Sequence, residues 1–229
     1  MSLQVLYEDN HLIAINKTAG TLVQGDSTGD ECLADMVKAY LKEKYDKQGN
    51  VFAGVVHRID RPVSGVVIFA KTSKALARLN EQFKVRNIKK TYWAVVKNKP
   101  NPPEGNLVHY LTKDQATNKS KAFISEKPNT KKAELHYQVI AQSQTYYLVE
   151  VQPITGRHHQ IRVQLASIGC PIKGDLKYGF DRPNANGSIH LHARSITFNH
   201  PTQKNEITLV APVPNDSLWQ AFTSLIPNE

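Results

Sequence analysis

His57-Arg58-Ile59-Asp60-Arg61-Pro62-Val63-Ser64-Gly65-Val66-Val67-Ile68-Phe69-Ala70 divides into a charged turn and an apolar run. Pro62 and the Ser64-Gly65 pair are turn chemistry. Val66–Ala70 is short, apolar and rich in β-branched residues, which predicts a buried strand. Asp60 therefore sits at the mouth of a strand. The strand fixes it, and the turn exposes it. The guanidinium groups of Arg58 and Arg61 favour its ionised form. An Asp in a turn also has a purely structural use, accepting backbone N–H groups, and this stretch alone leaves both uses open.

Working outward, Val5–Lys17 reads as a strand, a turn at Asp9-Asn10 and a second strand. Leu33, Val37, Tyr40 and Leu41 follow helical spacing between Glu31 and Lys47. A second helix opens at Thr72 or Ser73 with the stripe Leu76, Leu79 and Phe83. Lys89–Val96 reads as a strand. Asn98–Lys132, rich in Pro, Lys, Asn and Thr, is the least regular part, with hairpin-like pieces and the character of a mobile surface.

Strand patterns resume at Glu134–Ala141 and Tyr146–Gln152, followed by a helix from His159 to Ile168 that ends at Gly169. Two more strands fall near Ile189–Phe198 and Glu206–Val210. Many strands with a few separate helices predict an α+β fold, mainly an antiparallel sheet with flanking helices.

The chain has 229 residues, enough for one large domain or one domain with two lobes. Its net charge of +9 favours polyanionic partners, nucleic acid before membrane, because no basic amphipathic helix with an aromatic face stands out. The two cysteines, Cys32 and Cys170, are too few for a disulfide scaffold or a four-thiolate zinc site. No apolar run reaches membrane-spanning length and no signal peptide opens the chain, so the expected compartment is the cytoplasm.

The stretch around Asp60 resembles the His-Arg-Leu-Asp-x-x-Thr-Ser-Gly motif of the RluA-type RNA pseudouridine synthases. Tyr7–Gly20 resembles that family's first strand pair, Lys90–Val96 its tyrosine motif, and Pro153–Arg162 with Gly169–Gly179 its arginine motif. Leu191–Ala193 with Phe198–Pro201 resembles the closing strand. Together these strings cover nearly the whole chain in the family's order. The resemblance implies a single catalytic domain over residues 1–229, two-lobed, with a central RNA-binding cleft.

It also implies roles. Asp60 falls on the catalytic carboxylate, Tyr92 on the tyrosine set against the target base, and Arg162 on the arginine that pairs with the catalytic Asp. Arg162 lies next to Ile161, near the boundary of the expected buried helix face. Arg58 matches an arginine able to enter the RNA stack. His57, Arg61, Arg157, His159 and Gln160 are further expected substrate contacts. The reaction moves the base from N1 to C5 on ribose C1′ without redox or phosphoryl transfer, so no cofactor and no metal is expected. The expected partner is a ribosomal or transfer RNA stem-loop, with no obligate protein partner.

The departures are Ile59 for Leu, Val63 for Thr, Thr18 for Pro and Gln164 for His. No S4 RNA-binding domain is expected, so RNA capture would rest on the catalytic domain's own basic surface. A non-catalytic RNA-binding protein is the alternative, since it would share the charge. A metal hydrolase could draw on His190, His192, His158 and His159 but lacks matching carboxylate or thiolate spacing. A two-carboxylate glycosidase would need Glu81, Glu150 or Asp175. Asp175 reads as a turn-former.

Overall fold

Local turn chemistry sets the first hairpin in the computed structural model, which describes residues 3–226. β1 (Val5–Glu8) and β2 (Leu12–Lys17) pair antiparallel. Between them the Asp9 carboxylate accepts the N–H groups of His11 and Leu12 at 2.7 and 2.9 Å, and the ring of buried His200 lies 2.6 Å from its other oxygen. The chain continues through α1 (Leu33–Lys44), β3 (Gly54–Val55), β4 (Ser64–Ala70), α2 (Ser73–Lys84) and β5 (Lys89–Val96). Next come β6 (Glu104–Asp114), β7 (Lys119–Phe123), β8 (Lys131–Gln142), β9 (Tyr147–Pro153) and α3 (Gln160–Ser167). A single 3-10 turn (Leu176–Tyr178), β10 (Leu191–Asn199), β11 (Glu206–Val210) and α4 (Ser217–Thr223) complete it. The antiparallel α+β expectation holds.

Two compact units divide the chain. The first runs to Lys89 and takes in Ala193–Pro212; the second takes Lys90–His192 and the segment from Val213 onward. In the first unit β2 pairs with β1 and β4, β3 also pairs with β4, and β11 pairs with β10 beside β4. Every residue of β4 is buried, as its apolar run requires. α1 buries Leu33, Ala34, Val37 and Leu41. The Thr72 side chain caps α2 by accepting the Ala75 N–H at 3.1 Å. Gly65 has φ +117°, and a Cβ there would lie 2.3 Å from the Ala193 carbonyl oxygen. Only glycine lets the turn feed β4 at this point.

The second unit's strands run in the order β5-β9-β8-β6-β7, each pair antiparallel. One core cluster joins Trp93, Val95 and Leu148 to Trp219 and Phe222 of α4. Another joins Leu111 and Ala133 to Val163 of α3, with Tyr178 packed against it.

Three local readings change. The stretch 98–132, expected to be irregular, contains the regular hairpin β6–β7. Leu111 and Ser120 are the buried residues of those two strands, so little apolar alternation is written there, and pairing with β8 supplies the order. α4 was not expected, because prolines precede its seven residues; Asp216 starts it by accepting the N–H groups of Leu218 and Trp219 at 2.9 and 3.2 Å. α3 is buried continuously from Gln160 through Leu165 rather than along one face. Arg162 is therefore fully enclosed instead of standing at a boundary.

Candidate active site

Asp60 occupies the position its sequence predicts. Val63 N–H closes the turn on the Asp60 carbonyl at 3.0 Å, and β4 begins at Ser64. The Asp60 side chain is half-buried between exposed Arg61 and buried Ile59. A second loop braces this turn. Lys17, at the end of β2 and only 1% exposed, donates to the carbonyls of Thr18, Thr21 and Arg61 at 3.0, 2.8 and 3.1 Å. Gly20 N–H donates to the Arg61 carbonyl at 2.8 Å, and Arg61 Nε returns a bond to the Gly20 carbonyl at 2.9 Å.

Burial brings the Lys17 ammonium down to about 7; the Asp60 charge pulls it back up and Arg61 pushes it lower. Lys17 is thus a buried cation beside the candidate carboxylate.

The other residues of the stretch divide by what they already hold. Arg61, an expected substrate contact, is tied to Gly20 and pairs with Asp30 at 2.9 Å. The His57 ring accepts the Ile68 N–H at 3.2 Å and stacks on Phe83 at 5.1 Å, which makes it a brace between turn, strand and helix. Arg58 is exposed and has no ion pair among the described residues.

In the second unit Tyr92 lies on β5 opposite Val151. Its neighbour Trp93 is 3% exposed and takes the core position, so strand alternation turns Tyr92 to the other face, half-buried. Arg162, 4% exposed, forks onto Asp175: Nε to Oδ2 at 2.7 Å and Nη2 to Oδ1 at 2.8 Å. Asp175 is itself 1% exposed. Its reading as a turn-former therefore changes: it precedes the 3-10 turn, but its carboxylate serves Arg162. The guanidinium also lies over the Tyr178 ring, 5.1 Å from the centroid.

The loop before α3 is similarly occupied. His159 adopts a left-handed backbone (φ 51°), and burial, helped by the Arg162 charge, pushes its pKa down to about 2. A ring held neutral carries no charge for a phosphate group. Its Nδ1 lies 2.8 Å from the Tyr178 hydroxyl. Gln160 Oε1 accepts from the Thr155 hydroxyl and the Arg157 N–H, while Nε2 donates to the Glu134 carbonyl. Its amide ties the loop together on both sides. Arg157 Nε donates to the Lys132 carbonyl at 3.0 Å.

The histidines that suggested a metal have other surroundings. His190 and His192 both lie against the Trp219 ring, and His158 stacks on His159 at 3.8 Å. Among the described residues no helix is long and apolar enough to cross a membrane.

Residues 11–167 match the family described as RNA pseudouridylate synthase, and the chain belongs to that family. It is similar to the ribosomal large subunit pseudouridine synthase C of Vibrio vulnificus, with 34% identity over 215 residues, covering 91% of this chain and 65% of that protein. Similarity to the ribosomal large subunit pseudouridine synthase D of Zymomonas mobilis is 31% over 224 residues, covering 93% and 70%.

Among solved structures, human RNA pseudouridylate synthase domain containing 4 matches with a TM-score of 0.78 at 26% identity, covering 96% of this chain and 92% of that one. Human RNA pseudouridylate synthase domain containing 1 matches at 0.71 and 19% identity, a likeness of fold.

Proposed function

We propose that this RNA pseudouridine synthase isomerises specific uridines in ribosomal RNA of the large subunit, in the cytoplasm, with Asp60 as its catalytic carboxylate. The observation that carries the reading is the Asp60 turn. A carboxylate is held half-buried at a strand mouth by cross-tied backbone bonds, inside the span that matches the family. The printed names of the relatives favour ribosomal RNA over transfer RNA.

The chemistry needs little else. The ribose C1′–N1 bond breaks, the uracil turns, and a C1′–C5 bond forms; C5 gives up its proton to solvent and N1 gains one. An ionised carboxylate serves either as nucleophile or as base on the sugar. The target base must leave its stack to be reached. Tyr92, turned away from the core, offers a face for it, a contact worth about 1–3 kcal/mol. Arg162 takes the part of the family arginine as a buried, fixed positive group, and exposed Arg58 is the side chain available to the RNA stack. Both steps proceed with these side chains alone, without metal or cofactor.

Asp60→Asn tests the reading. With RNA carrying 5-tritiated uridine, tritium release is expected to fall by about four orders of magnitude, with RNA affinity retained. Undiminished release would remove Asp60 as the catalytic carboxylate, and no release from the wild type would return the chain to the class of non-catalytic RNA binders. Pseudouridine mapping in cells with and without the gene identifies the RNA; loss confined to transfer RNA would remove the ribosomal part of the proposal.

A further inference from the structure

Arg162 sits in a frame built by one short segment. Asp175, immediately before the 3-10 turn, takes two of its five N–H groups in a planar fork at 2.7 and 2.8 Å. Tyr178, the last residue of that turn, puts its ring against the guanidinium face. The fork fixes rotation within the plane, and the ring fixes the tilt of the plane. The Tyr178 hydroxyl is held in turn: it accepts the Ser120 N–H of β7 at 2.8 Å and lies 2.8 Å from His159 Nδ1. Lys177, between them, donates to the Thr117 and Asn118 carbonyls at the tip of the β6–β7 hairpin, at 3.5 and 3.2 Å.

We propose that Asp175 and Tyr178 are positioning residues for Arg162, setting the plane and the aim of its guanidinium for the isomerisation. The proposal rests on the reading of Arg162 as a site residue. Stability alone does not call for such a frame, because a buried ion pair is commonly replaced by apolar side chains without loss. What the frame supplies is direction. The fork and the ring together fix where the N–H groups of Arg162 outside the fork are aimed, an orientation that a lone arginine would not keep. The link from Tyr178 to Ser120 also joins this frame to the long surface hairpin, where Lys113, Lys119 and Lys121 stand.

The test uses the full chain and total RNA labelled with 5-tritiated uridine in cells lacking the gene. Asp175→Asn is expected to lower kcat per folded molecule by about 10- to 100-fold, with RNA affinity within about twofold. Tyr178→Phe, which keeps the ring and loses the hydroxyl, should lower kcat about threefold by the same loss of aim. In an Arg162→Met background both changes should be silent, because the residue they act through is gone. A merely structural role would lower the folded fraction and would remain visible in that background.

If Asp175→Asn fails to fold, Tyr178→Phe and the charge-free double variant Arg162→Met/Asp175→Asn carry the comparison. Full kcat in Asp175→Asn or Tyr178→Phe, with Arg162→Met inactive, overturns this proposal and spares the reading of Arg162. Full kcat in Arg162→Met overturns both.

Discussion

In the first unit the bonds that brace the Asp60 turn close on main-chain carbonyls: the Asp60–Val63 turn, the Gly20–Arg61 exchange, and three carbonyls gathered on Lys17. In the second unit the groups around Arg162 are side chains: the Asp175 carboxylate, the Tyr178 ring and hydroxyl, and the His159 imidazole. A carboxylate held by backbone geometry tolerates changes in neighbouring side chains but not in chain path. A guanidinium held by other side chains is sensitive to their charge and protonation. The two units should therefore fail under different insults.

The largest effect expected is on chain path in the first unit. Gly65→Ala puts a methyl 2.3 Å from the Ala193 carbonyl at a φ of +117°. Backbone stands on both sides of that contact, so no rotamer relieves it. A loss of about 4 kcal/mol or more is expected, read by chemical denaturation, and activity should go with it. A loss under 1 kcal/mol would mean that the turn into β4 is softer than its geometry implies.

Lys17→Met comes next. It removes the donor shared by three carbonyls and the buried cation beside Asp60, at an expected cost of about 3 kcal/mol. Because Lys17 is held near 7, the wild type itself carries a signature. The unfolded lysine titrates at its ordinary 10.5 and the folded one near 7, so between these values the unfolded chain binds the extra proton. This group's contribution to stability therefore rises from pH 7 toward 10.5, and the rise should vanish in Lys17→Met. The same slope in both proteins would remove Lys17 from the account.

The second unit should respond to acid. His159 has an ordinary pKa of 6.5 and is held near 2 by burial and by Arg162. Below 6.5 the unfolded chain takes up a proton that the folded one refuses, so stability falls as pH drops, by at most about 1.4 kcal/mol per pH unit. His159→Asn keeps a residue that accepts the left-handed backbone and has nothing to titrate. Its stability should fall less steeply between pH 6 and pH 4.5 than the wild type's, by denaturation at each pH. Glu8, held near 2 against an ordinary 4.5, begins to lose its contribution only below that value, which separates the two effects.

The same contrast explains what could be read from the sequence. The place of Asp60 at a strand mouth was legible because a turn and a β-branched run adjoin it. Its expected role, like that of Tyr92, came from the resemblance of whole motifs and not from either residue's own surroundings. The strand pairs Val5–Glu8 and Leu12–Lys17, and the Thr72 cap, were written in short-range chemistry. Lys17 and Asp175 were not. Each acts on partners that are remote or of unexceptional type: Lys17 on Thr21 and Arg61 carbonyls, Asp175 on a guanidinium thirteen residues earlier. A buried lysine caged by carbonyls carries no local signature, and Gly-Asp before a turn reads as turn chemistry whatever the carboxylate touches. The β6–β7 hairpin was expected only as hairpin-like pieces without strand bounds, because its faces are largely polar, and α4 was missed because Asp216 caps only seven residues.

The smallest effects separate exposed Arg58 from half-buried Arg157 by what each already does. Arg58 has no ion pair among the described residues, whereas Arg157 donates Nε to the Lys132 carbonyl. If Arg58 meets RNA, Arg58→Ala should reduce the slope of log affinity against log salt by about one charge and leave stability within about 0.5 kcal/mol. Arg157→Ala should do the converse. It loses one hydrogen bond to β8, costing about 1 kcal/mol of stability, with a smaller change in salt slope. Filter binding across a salt series, beside denaturation curves for both variants, reads the two quantities together. An unchanged slope in Arg58→Ala would take that side chain off the RNA-binding surface and leave the Asp60 turn without its proposed contact to the stack.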